Sequence, residues 1–325
     1  MDRRDFLKGA AALPIVLHAG HALADVYPER NVAMIVPFPP GGQADLAARP
    51  VAQKLQELLG KAFVVDNRGG AGGAIGNAFA AKAHPDGYTL LMTLSSLAVL
   101  PEADRLLGRP AQYEVSQFTP IARVLADPTL LAVNAKAPWK NVQELVEDAK
   151  KRPGQIPYGS SGSYGTLHVS MAMFESAAGI KMLHVPYKGA GPAVTDLLSG
   201  QILALASAPG VLRPHVQSGA VRVLANFGAK RVDSFPDTPT FQELGYKDVE
   251  FYIWAGLFAP AGTPEPVIMT LRGAMKKVMA DPQTTHIFET AGSPPAYLDQ
   301  PAFRKFVDED SARLIAAVKK IGKVE

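Results

Sequence analysis

The 325-residue chain contains no cysteine. That excludes disulfide staples and thiolate-bound zinc, and export would need no oxidative folding. Charge is sparse too. Asp, Glu, Lys and Arg make up 19% of the residues, with a formal net charge of +3. Without residues 1–24 the net is +2, and no Lys/Arg run forms a stripe, so nucleic acid is not an expected partner. Beyond those residues the only histidines are His84, His168, His184, His215 and His286, and none pairs at H-x-x-x-H or H-E-x-x-H spacing. No metal site is expected. The chain lacks G-x-x-x-x-G-K-[ST]. Its glycine-rich run, Gly69 to Gly76, fails G-x-G-x-x-G because Gly70 and Gly72 would require glycine where Ile75 stands. No cofactor is expected, and close packing or a cleft wall is the better reading of that run. A G-x-S-x-G nucleophile elbow is also missing. What is present is a 47% apolar composition, enough for a packed core.

The first 24 residues read as an export address. Arg3-Arg4-x-Phe6-Leu7-Lys8 resembles a twin-arginine signal; an ordinary secretory signal with a chance Arg pair is the plainer alternative. A weakly apolar stretch from Gly9 to Leu17 follows, then Ala22-Leu23-Ala24, the small-x-small pattern of a cleavage site. The stretch is too short for a permanent anchor. The mature chain is expected to begin near Asp25, and no later segment is apolar for long enough to span a bilayer.

Val32 to Phe38 is a continuous apolar run, as in a strand buried on both faces. A Pro-Gly loop leads into a helix at 44–59, with Leu46, Val51, Leu55, Leu58 and Leu59 on one stripe and Gly60 ending it. Strands at 62–65 and 89–93 flank a small-residue helix. This β-α-β-α-β order predicts a parallel sheet with right-handed crossovers. A second series begins at Leu130, with strands at 130–133, 157–158, 182–185, 202–206 and 221–225 and helices at 141–150, 167–177 and 193–198. Helices at 267–279 and 301–320 close the chain. The fold class is therefore α/β with two lobes and a cleft. Residues 1–24 form the signal, 25–126 the first part of lobe 1, 127–226 lobe 2, and 227–325 the return with C-terminal helices.

Two loops lie at strand ends, where open α/β sheets bind ligands. Pro39-Pro40-Gly41-Gly42-Gln43-Ala44-Asp45 brings backbone N–H groups and a helix start to one place, which suits an anion. A plain tight turn with Asp45 as a cap explains it equally well. Ser160-Ser161-Gly162-Ser163-Tyr164-Gly165-Thr166-x-His168 offers four hydroxyls, a phenol and a second helix start. One cap does not need so many donors. His168, one turn into the helix, reads more simply as a packing histidine. A Ser160 or Ser161 triad with His168 and Asp196 is the enzyme alternative.

The ordered series Ile35-Val36-Pro37-Phe38-Pro39-Pro40-Gly41-Gly42-x-x-Asp45 with Arg49, Val65 to Gly73, Pro85 to Leu90, Tyr158 to His168, His184 to Gly189, Pro236 to Thr240, Trp254 and Ala259 to Pro264 resembles the Bug (TctC-type) receptors of tripartite tricarboxylate transporters. The resemblance runs from Tyr27 to the C-terminus. It implies a Venus-flytrap periplasmic-binding-protein fold and a non-enzymatic monomer in the periplasm. It also implies a small organic-acid ligand, presented to the membrane components of such a transporter; a signalling receptor is the alternative use. One ligand carboxylate would be bridged between the two loops, partly through water. The implied ligand-binding set is Phe38, Pro40, Gly41, Gly42, Gln43, Asp45, Ser95, Ser160, Ser161, Gly162, Ser163, Tyr164, Gly165, Thr166, His168 and Ser207. Three positions depart from the family pattern: Leu203 and Ser207, where an acidic residue is common, and Tyr164, where glycine is frequent. Their places in the cleft are expected to set ligand identity.

Overall fold

The structure, a computed structural model, describes residues 27–323. The expected signal at 1–24 lies outside them. Strand β1 (Val32–Val36), helix α1 (Gln43–Leu59), β2 (Phe63–Asn67), α2 (Ala74–Ala81), β3 (Thr89–Leu94), α3 (Ser96–Leu106) and β4 (Phe118–Pro128) form the first stretch. Next come β5 (Leu130–Asn134), α4 (Val142–Lys151), β6 (Pro157–Ser160), α5 (Thr166–Ala178), β7 (Leu183–Pro186), α6 (Ala190–Ser199), β8 (Ala204–Ser207), α7 (Pro209–Gln217) and β9 (Val221–Asn226). The chain returns through β10 (Tyr252–Pro260), α8 (Glu265–Ala280), α9 (Pro282–Ala291), β11 (Pro295–Asp299) and α10 (Gln300–Ile321).

Local chemistry sets these boundaries. Gly60, in the left-handed region at φ +72°, stops α1 by returning its N–H to the Gln56 carbonyl. Asn141 starts α4 by accepting the Glu144 N–H. The apolar run of β1 is buried because the strand has neighbours on both edges and helices on its faces.

Two sheets result, ordered β11-β4-β10-β3-β1-β2 and β7-β6-β8-β5-β9. The expectation of parallel sheets needs correction. Only β2-β1-β3 and β7-β6-β8 pair in parallel. β10, β4 and β11 pair antiparallel, as do β5 and β9 with their neighbours. Parallel pairing needs a crossover segment, and strands that carry the chain between sheets lack one: β4 ends at Pro128 and β5 begins at Leu130. β10 is absent from the expected strands, because Pro236, Pro239, Pro260, Pro264 and Pro266 punctuate the return of the chain and read as turns. It nevertheless lies buried between β3 and β4, and its Trp254 donates to Asp310 of α10 at 2.7 Å.

Candidate functional site between the lobes

One small cavity lies where the two sheets' loops meet. The first sheet's side supplies Phe38, Gly42, Gln43, Leu94 and Ile253. Ser161, Thr166, Leu167, Ala190 and Ser207 come from the second. Its volume is about 10 Å³, roughly the room one water needs. Two helices start on it, α1 at Gln43 and α5 at Thr166. Each has an extended glycine, Gly42 or Gly165, at its cap position, and neither has a side-chain cap. First-turn N–H groups have no intrahelical partner, so two positive helix ends converge on one spot. Gln43 Oε1, Ser161 Oγ and Thr166 Oγ1 are buried without a hydrogen-bond partner. Buried polar atoms are normally satisfied, so three orphans around one cavity mark a place built to receive a polar group.

The first loop is held by charge. Asp45 takes the Arg49 guanidinium in two bonds of 2.9 Å, the Gly41 N–H at 3.1 Å and the Asn67 amide at 3.1 Å. Asn67 also donates to the Phe38 carbonyl at 2.9 Å, tying the loop at both ends. Burial alone would raise the Asp45 carboxyl, but the Arg49, Gly41 and Asn67 bonds outweigh it and hold it below the usual range. Asp45 therefore serves the loop, and its charge is already matched.

The second loop is held by neutral rings. His168 stacks on His184 with ring centroids 4.2 Å apart, and His184 stacks on Tyr158 at 5.2 Å. The Tyr164 N–H donates to His168 Nδ1 at 3.0 Å, which leaves the proton on Nε2. Burial, with His184 adding to it, pushes His168 down to about 3; burial pushes His184 down to about 4. Ser160 Oγ lies 2.6 Å from His184 Nε2 and accepts the Gly162 N–H at 3.1 Å. The Ser160 hydroxyl is thus engaged within its own lobe, by His184 and the Gly162 N–H.

Of the candidate residues, Phe38, Gly42, Gln43, Ser161, Thr166 and Ser207 share the cavity. Ser160 and His168 are buried behind it and bond within their own lobe. Pro40, Gly41 and Ser163 are exposed. Ser95 is buried with an unpartnered hydroxyl beside Leu94, and is not a cavity-lining side chain. Gly162 and Gly165 do a different job: a Cβ on either would lie 2.7 or 3.4 Å from the Gly72 backbone of the opposite lobe. Gly72 is thus the cleft wall of the glycine-rich run, while Gly76, whose Cβ would lie 2.6 Å from Pro37 Cα, serves close packing within its lobe. The proposed triad is not assembled, since Asp196 takes the Tyr187 hydroxyl at 2.6 Å and His168 faces Tyr164. Nor does the expected specificity wall of Tyr164, Leu203 and Ser207 hold together. Only Ser207 reaches the cavity; Leu203 lies beyond the far end of β8, and the Tyr164 hydroxyl donates to the Gly322 carbonyl at 2.9 Å. Leu94, Leu167, Ala190 and Ile253 were not legible as lining residues, because nothing in an apolar residue marks which core surface it faces.

Among the described residues no group of His, Cys, Asp and Glu is placed to hold a metal, and no helix is long and apolar enough to cross a membrane.

Two α/β lobes joined by returning strands, with converging helix starts in the seam, define a solute-binding protein of the periplasmic-binding-protein fold. Residues 47–323 match the model of the tripartite tricarboxylate transporter family receptor, and the chain belongs to that family. It is 35% identical over 301 residues to protein BugT of Bordetella pertussis, covering 92% of this chain and 91% of that one. The structure of the periplasmic binding protein BugD is similar, with a TM-score of 0.85 at 34% identity over 91% of this chain and 98% of its own. So is an R. palustris protein solved with adipate, with a TM-score of 0.85 at 30% identity over the same shares.

Proposed function

We propose that the cavity is the carboxylate end of a ligand site, and that the protein captures a small organic acid outside the cytoplasm and presents it to the membrane components of its transporter. The observation that carries this reading is the convergence of two uncapped helix starts with three orphaned buried polar atoms. Hydrogen bonds to a charged group contribute about 1.5–3 kcal/mol each, and two positive helix ends favour an anion. Fully ionic side chains are not needed for this. The adipate bound by the R. palustris relative is a small acid of the kind such a site suits.

An organic acid is far larger than 10 Å³, so the lobes must part to admit it. We assign the first lobe to residues 25–126 and 227–325 and the second to 127–226. The chain crosses at Thr129, between β4 and β5, and again after β9. Contacts from both lobes to one ligand favour the closed form over the open one. The protein is read as a monomer that releases its ligand unchanged; the Ser161 hydroxyl has no hydrogen bond to a base. Residues 1–24 would direct export to the periplasm and be removed near Ala24.

A thermal-shift screen of mono-, di- and tricarboxylates tests this. At least one acid should raise the melting temperature, and Ser161→Ala and Thr166→Ala should each weaken that acid's binding 10–100-fold. Stabilisation by inorganic phosphate alone would overturn the reading.

A further inference from the structure

Gln43 stands between the cavity and a carboxylate that the cavity does not reach. Its Nε2 donates a short hydrogen bond to Oδ2 of Asp127, near the end of β4. Asp127 also takes the Ser293 hydroxyl, whose oxygen accepts the Gly210 N–H at 3.2 Å. Gln43 and Asp127 are each 3% exposed. An ionised carboxylate can only accept hydrogen bonds. It therefore turns the amide one way, with Nε2 toward Asp127 and Oε1 free of any partner at the cavity. The Ser161 and Thr166 hydroxyls can rotate to donate or accept, whereas Gln43 Oε1 can only accept. A ligand group set against it must be a hydrogen-bond donor, an O–H or N–H. A methylene there leaves Oε1 buried and unpaired, and a second carboxylate oxygen meets it with like partial charge.

We propose that Asp127 is a specificity-determining positioning residue: by fixing the Gln43 amide, it makes the cavity select acids that carry a hydroxyl or ammonium donor beside the carboxylate. This rests on the reading of the cavity as a carboxylate site. Protonation of Asp127 undoes the selection. Its O–H can then donate to Oε1, the amide turns over, and Nε2 offers the ligand a donor. Burial pushes Asp127 up to about 7, partly offset by the bonds from Ser293 and Gln43, which places the change in an accessible range. Lys230, Arg231 and Asp233 of the loop after β9, Tyr252 of β10 and Glu289 of α9 line the groove behind Asp127. Arg231 is paired with Glu243 at 3.1 Å. On α1 the nearest charges, Asp45 and Arg49, are paired with each other, and Arg213 of α7 donates to the Glu289 and Thr290 carbonyls.

The test is calorimetric affinity for matched acids, malate against succinate and lactate against propionate, at pH 8.5 and pH 5.5. The wild-type protein at pH 8.5 should prefer the hydroxylated member of a pair at least tenfold, since a site built to bond a hydroxyl rejects the analogue lacking it. That ratio should fall to within about threefold in Asp127→Asn, whose own amide lets Gln43 face either way, in Gln43→Leu, and in the wild type at pH 5.5. A ratio equal in all of these, with both affinities falling together, would make Asp127 a packing residue and overturn the proposal, as would equal affinities within both pairs in the wild type. Should Asp127→Asn not fold, Gln43→Leu and the wild-type pH comparison decide. Failure of every carboxylate to bind, with phosphate stabilising instead, would overturn the carboxylate reading itself, and this proposal with it.

Discussion

The two lips of the cavity present the same surface to a ligand and are braced in opposite ways. The first, ahead of α1, depends on an ionised Asp45 neutralised by Arg49, Asn67 and a backbone N–H. The second, ahead of α5, depends on two imidazoles kept neutral by burial and stacked on each other. Both arrangements leave the ligand-facing surface without net charge, so an incoming anion meets helix ends and hydroxyls. A fixed cation in the cavity would bind an anion more strongly but hold the lobes shut around any anion. On the proposed reading, neutral donors would make closure depend on how many of them a ligand satisfies.

The largest effect should come from the seam where the lips touch. Gly162→Ala places a Cβ 2.7 Å from the Gly72 nitrogen at a φ of +112°, where an L side chain is strained. Backbone cannot rotate away as a side chain can. Affinity for the stabilising acid should fall a hundredfold or more by calorimetry, with a smaller loss in the melting point of the free protein. An unchanged affinity would mean that the lips do not meet in the bound form.

Breaking one brace should be milder. Asp45→Ala removes the carboxylate that organises the first lip and strands the Gly41 N–H and the Asn67 amide. Arg49, 57% exposed, stays solvated. A loss of roughly 2 kcal/mol in unfolding free energy follows from the value of charged hydrogen bonds. High salt should weaken the wild type's first lip and leave the ring-braced second lip unaffected. Denaturant melts at two ionic strengths measure both.

The last effect is a pH slope. His168 and His184 have folded values of about 3 and 4, below the 6.5 of a free imidazole. Between about pH 4 and 6.5 the unfolded chain thus binds more protons, and stability rises with pH. Asp127, raised from 3.8 to about 7, acts the other way: the folded chain holds its proton across that window, and stability falls as pH rises toward 7. Asp127→Asn should therefore steepen the acid limb and raise the melting point at pH 8, by a free energy on the order of 1–3 kcal/mol. Melts from pH 4.5 to 8 that overlay for the two proteins would contradict the assignment of a buried ionised carboxylate.

Much of the fold was legible wherever a hydrophobic period was clean. The β1 run, the α1 stripe and the α4 stripe each appear within a residue or two of their expected place. β10 was missed because proline marks turns only statistically, whereas its pairing with β3 and β4 is set across the chain. The site divided along the same line. Gly42 and Thr166 sit at helix starts and Ser161 directly follows β6, local features that a sequence marks. Ser160 looked equally functional, whereas His168 read more simply as a packing histidine; their partners, His184 and Tyr164, place both in the bracing of the loop. Gln43 met Asp127 across 84 positions, and the only local sign was a lone carboxylate inside an apolar strand.

Pro39 gives the closed form its dimension. Its ring lies where a Cβ on Gly69 of its own lobe would fall 2.6 Å away, and it also fills the space above Gly189 of the other lobe. A pyrrolidine ring has no rotamers to exchange and a φ that scarcely varies. It works as a spacer gauge between two flat backbone faces. Closed on this ring, the two faces can come no nearer than its thickness allows. A membrane partner feeling the outside of the protein would receive a single shape, and so a yes or a no.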